Sequence, residues 1–183
     1  MDSRHAPRTT PNVISLRLRD LSQLFNSLDP SPFIDRDLDA DAEEFIVSWT
    51  KELPSHHELK LVIDLTVAPP PDRAAETQDA VRHYFHERAE SKLREFHQLM
   101  RRGRISLIIG LLFLAVCLTI ANLFEKLGFV ALSGIVRESF IIVGWVAMWR
   151  PLEIYLYDWW PLRSELRVFR RLSRMEVELT RGK

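Results

Sequence analysis

The chain has 183 residues, room for one small domain and a few membrane helices, and its 46% hydrophobic content is spread unevenly. Lys and Arg total 25, as do Asp and Glu, so the net charge is zero and nucleic-acid binding through bulk positive charge is excluded. The single cysteine, Cys117, excludes an intrachain disulfide and a cysteine-ligated zinc site, and nothing in the composition implies a cofactor.

Residues 1–12 are polar and lack the apolar core of a signal peptide, so they read as a disordered tail. A cytoplasmic α/β domain is predicted over 13–71. Residues 13–19 alternate, with Ile14, Leu16 and Leu18 on one face and Ser15, Arg17 and Arg19 on the other, the pattern of a half-buried strand. The pattern returns over 59–67 through Leu59, Leu61, Ile63, Leu65 and Val67. Between them, Asp41 followed by Glu44 reads as a capping box opening a helix with Phe45, Ile46, Trp49 and Leu53 as apolar positions, stopped by Pro54. A strand, helix, strand unit of this kind is parallel and right-handed. Two strands alone make a marginal sheet with bare edges, which argues for a homo-oligomer.

Three prolines over 69–71 precede a juxtamembrane helix, 72–104, in which Val81, Tyr84, Phe85, Ala89, Leu93, Phe96 and Met100 recur at helical spacing. It is expected to run into a first transmembrane helix, 105–124, which has no charge and the about 20 apolar residues that crossing a bilayer requires. An external loop, 125–137, then leads to a second span. Two registers are open for it: 130–149 submerges Arg137 and Glu138, and 138–157 submerges Arg150 and Glu153. The second is preferred because it ends at Tyr155, Tyr157, Trp159 and Trp160, an aromatic cluster suited to the membrane interface. Arg150 and Glu153, three residues apart, then form an intramembrane charge pair. Ser106 and Gly110 on the first helix, and Gly144 and Ala147 on the second, are small enough for close helix packing.

Residues 158–183 read as an amphipathic, Arg-rich helix with an apolar stripe of Leu162, Leu166, Phe169, Leu172, Met175 and Leu179, which either lies on the anionic leaflet or, the preferred reading, packs on the juxtamembrane helix. Bases flank both ends of the hairpin, Arg101, Arg102 and Arg104 before it and Arg163, Arg167, Arg170 and Arg171 after it, so both termini are expected in the cytoplasm.

Catalytic signatures are few. No glycine precedes Gly103, so phosphate-cradling loops have no place in the soluble part. The acids Asp35, Asp37, Asp39 and Asp41 lack the glycine and the bidentate glutamate of a calcium loop, Ala40 and Ile46 standing there instead. His83, His86, Glu87 and Glu90 lie within two helical turns at a spacing that could bind a metal, but a solvated or interface-forming helix face opposite the apolar stripe is the preferred reading, so no metal site is assigned. No nucleophile motif is present, and a non-enzymatic protein is expected.

The stretches SPFIDRDLDADAEEFI, GRISLIIGLLF and GWVAMWRPLEIYLYDWWP together resemble a group of small, uncharacterised bacterial inner-membrane proteins with a two-helix hairpin, over most of the chain from Val13 onward. The resemblance implies a bacterial inner membrane and assigns no residue a catalytic role. The sequence therefore predicts a mainly α membrane protein with a small α/β part. It would be an interaction or assembly module in the lipid bilayer that self-associates or holds another membrane or cytoplasmic protein and binds no nucleic acid. The alternative is a subunit of an oligomeric channel or transporter.

Overall fold

A computed structural model of the chain describes residues 12–54, 57–67, 70–126 and 130–181. The expected tail lies outside these residues but for Asn12. The chain forms two compact units, one of residues up to Ser91 together with those from Glu165 on, the other Lys92–Ser164.

The first unit is built on a parallel sheet of three strands in the order β1 (Asn12–Leu18), β2 (Leu59–Leu65), β3 (Glu176–Arg181). Strand β1 pairs with β2 in the parallel sense that a strand, helix, strand unit requires. Strand β3 was not foreseen: the reading of 158–183 as one amphipathic helix is corrected, since the helix stops at Leu172. Met175, Val177 and Leu179 alternate there with Glu176, Glu178 and Thr180, a period of two rather than 3.6. The sheet therefore has three strands, which removes the two-strand premise from the argument for self-association.

Ile14, Leu61 and Val177 stand in register on one face of the sheet and are buried. Helix α1 (Ala40–Glu52) covers this face with Ala42, Ile46 and Thr50. Its cap is Asp39, whose carboxylate accepts the Asp41 N–H, so the helix start placed at Asp41 with Glu44 as its capping partner is corrected to two residues earlier. The buried face turns with it, leaving Phe45 and Trp49 37% and 46% exposed. Helix α2 (Pro71–Lys126) contributes Val81, Phe85 and Ala89 to the core, as the spacing predicts. Helix α4 (Trp159–Leu172) adds Leu166, Phe169 and Leu172, and Phe85 stacks on Phe169 at 6.4 Å, so the two apolar stripes meet.

The opposite face is polar, unusual for a parallel sheet. Lys60, at its centre, reaches Glu178 at 2.8 Å and Glu176 at 3.1 Å, and Arg17 lies 3.7 Å from Asp64. These cross-strand pairs let the face meet water while the strands keep their register. Arg82 of α2 donates to the Met175 carbonyl just before β3, and Arg171 of α4 donates to that of Pro54 in the α1 to β2 turn.

The second unit is a helical hairpin of α2 from Lys92 on, α3 (Val130–Glu153), a π-helical turn (Ile154–Asp158) and the start of α4. Both helices are long and apolar enough to cross a membrane, and only 17% of the most apolar window of each is buried, unlike a core helix of a soluble protein. Much of the segment read as an external loop, 125–137, is helical, because α2 continues to Lys126 and α3 begins at Val130. Helix α4 starts at Trp159, directly after the π-helical turn.

Candidate functional site

Small residues build the hairpin interface. A β-carbon on Gly103 would stand 2.9 Å from Ile154 Cγ2, one on Gly110 3.2 Å from the Ala147 carbonyl oxygen, and one on Gly144 2.6 Å from Leu114 Cδ1. Gly110, Gly144 and Ala147 thus act as the packing residues their size predicts, while Ser106 is half-buried. Gly103 and Cys117 belong to the same seam, seven residues to either side of Gly110, and that heptad spacing was the available signal for them.

These contacts fix the antiparallel register. Carried along both helices at equal rise, they set the charge-free stretch 105–124 level with residues ~135–154 of the partner helix. The register lies between the two that the sequence left open. The stretch of α3 level with 105–124 includes Arg137 and Glu138 near one end and Arg150 and Glu153 near the other.

Arg150 and Glu153 do pair, at 2.8 Å, and Arg150 also lies 3.6 Å from Asp158, a partner that the three-residue spacing did not reveal. The π-helical turn brings it there. Pro151 has no N–H for the Ala147 carbonyl, and the backbone widens in the next turn. The Trp159 indole donates to the Tyr155 carbonyl, while Tyr157 and Trp160 stand exposed. Farther along α2 the Thr119 hydroxyl is satisfied by the Ala115 carbonyl.

The candidate metal ligands are not gathered. His83 Nε2 lies 3.5 Å from Asp35 and 3.6 Å from Glu87, whereas His86 and Glu90 are exposed. Among the described residues no group of three or more His, Cys, Asp or Glu side chains could hold a metal ion. The polar cluster that the fold does assemble here is one the sequence did not announce. Glu43 of α1 accepts the Tyr84 hydroxyl at 2.6 Å and two donors of Arg88, at 3.0 and 2.8 Å, and Arg88 lies over the Phe169 ring. Burial and the Glu43 carboxylate push the Tyr84 phenol well above its usual range. A phenol held protonated and an arginine held in a fork are suited to joining elements, not to proton transfer near neutral pH.

A shallow cavity of about 280 Å³ lies at the carboxyl ends of β1 and β2, lined by Leu21, Phe33, Val67, Pro70, Asp20, Ser22 and Arg73. The Ser22 hydroxyl and N–H both donate to Asp20, which holds that carboxyl below its usual range, and Arg73 stacks on Phe33. Its polar groups are thus engaged with their own neighbours.

Comparison of the chain with protein-family models, with curated proteins and with solved structures gave no match.

Proposed function

We propose that the chain is a non-enzymatic module anchored in a bacterial inner membrane by its hairpin, with both termini in the cytoplasm, that self-associates or holds a protein partner at the cytoplasmic face. The observation that carries this reading is the pairing of β3 with β2. One sheet is made from the segments before and after the hairpin, and two crossings return a chain to the side it left. The bases Arg101, Arg102 and Arg104, exposed on α2, favour the cytoplasm for that side. The apolar outer faces of the hairpin support the anchor, because small residues turned inward and large ones outward suit a lipid surround. The polar sheet face, with its cross-strand ion pairs, supports a binding role at the cytoplasmic face. Reporter fusions at Met1 and Lys183 test the reading: both are expected to report cytoplasm, with the protein retained in membranes after alkaline extraction. A periplasmic signal from either end, or release on extraction, overturns it.

A further inference from the structure

We infer that the outward face of α3 joins two copies of this chain side by side, with Arg137 of each copy meeting Glu138 of the other. The inference rests on the membrane-anchored reading.

Arg137 and Glu138 are adjacent, exposed and level with the charge-free stretch of α2. Among the described residues neither has a hydrogen-bonded or ionic partner, in contrast to Arg150 at the other end of the same helix. Uncompensated charge at membrane depth is costly, so a partner of opposite sign is favoured strongly there.

The neighbouring residues on that face define a seam. Glu138, Trp145 and Leu152 recur every seven residues and are exposed, the repeat with which one helix meets another. Trp145, 64% exposed, stands in the middle of the apolar stretch and not at its ends, where tryptophan prefers the interface. A protein surface accepts large aromatic rings at that depth through dispersion contacts with a fixed partner.

A second copy is the fitting occupant because one helix supplies both signs. Under a two-fold axis along the membrane normal the two α3 helices run parallel at equal depth, and Arg137 of one copy stands within about 1.5 Å in height of Glu138 of the other. The same operation forms the pair twice, so all four charges are satisfied at once.

The test uses the full chain in a mild detergent over a range of protein-to-detergent ratios, with mass as the readout. The wild type is expected to be a dimer. Glu138→Ala and Arg137→Ala are each expected to weaken association about tenfold, on the scale of the two interhelical polar contacts that each change removes. Arg137→Glu combined with Glu138→Arg is expected to restore it. Single variants that associate as the wild type does, or a swap that fails to restore, overturn the inference. In a Cys117→Ala background, Trp145→Cys is expected to crosslink between copies in membranes and Val143→Cys is not; equal crosslinking also overturns it. A wild-type monomer that resists alkaline extraction refutes this interface alone, while release on extraction refutes the anchored reading beneath it.

Discussion

The Ala147 carbonyl oxygen lies 3.2 Å from the point where a β-carbon on Gly110 would stand, and it is the carbonyl that Pro151 leaves without its helical donor. Glycine lets the two backbones approach closely enough for a weak Cα–H contact to that oxygen. Gly110→Leu must push the helices apart and is expected to cost the hairpin about 1–3 kcal/mol, as overpacking does elsewhere. Gly134→Ala, whose β-carbon meets nothing within 4 Å, is the matched control and is expected to change stability little. Thermal unfolding in detergent followed by tryptophan emission measures both. Equal stability of the two variants would show that the seam tolerates separation.

Arg150 has two carboxylates in reach, Glu153 at 2.8 Å and Asp158 at 3.6 Å. Glu153→Ala alone is therefore expected to lower membrane yield only slightly, because Asp158 remains. Glu153→Ala with Asp158→Ala strands the guanidinium and is expected to lower yield severalfold, and adding Arg150→Leu is expected to recover it. Quantitative blotting of membrane fractions reads this series. Failure of the triple variant to recover would mean that the three charges do not act together.

Asp29 couples the loop before α1 to pH. Its carboxylate accepts the Asp37 N–H at 2.8 Å and the Ser31 N–H at 2.9 Å, one on each oxygen. These bonds, the one from Asp37 foremost, lower its pKa from 3.8 to about 2. A depressed folded-state pKa gives stability that is full above the unfolded value and is lost as pH falls through the folded one. The advantage of the wild type over Asp29→Asn, which offers one acceptor oxygen instead of two, is expected to shrink between pH 4 and pH 2. Denaturation of both proteins at pH 5, 3 and 2 would reveal it, and a constant difference would remove Asp29 as the cause.

Local periodicity carried most of what the sequence disclosed. β1, α1, β2 and the long α2 followed from runs whose neighbours in sequence are neighbours in space, and the apolar stripe with Phe85 pointed at that with Phe169. The misses fell where long-range geometry decides. Phe45 and Trp49 looked like core, yet α1 turns Ala42, Ile46 and Thr50 inward instead, because smaller side chains let the helix sit close on the sheet. The partners of Glu43 lie more than forty residues away, and no spacing rule reaches them. At the hairpin, composition marked Gly110 and Gly144, whereas the level of Arg137 and Arg150 against α2 depended on a register that only the contacts between the helices fix.

Strand β3 offers the sharpest test of how the soluble unit closes. Met175 and Val177 are buried, and β2 is central only because β3 covers its second edge. Val177→Asp buries a carboxylate in the register position beside Leu61. An uncompensated charge in such a place costs about 3–5 kcal/mol, enough to unfold a marginally stable domain. Glu178→Gln, on the polar face, removes only one of the two carboxylates around Lys60 and is expected to be nearly silent because Glu176 remains. Limited proteolysis of the membrane-embedded protein separates the outcomes. Val177→Asp is expected to open the soluble unit to cleavage while a fragment containing α3 stays protected, and Glu178→Gln to resist as the wild type does. A resistant Val177→Asp variant would mean that β3 is dispensable and that the two-stranded unit stands on its own.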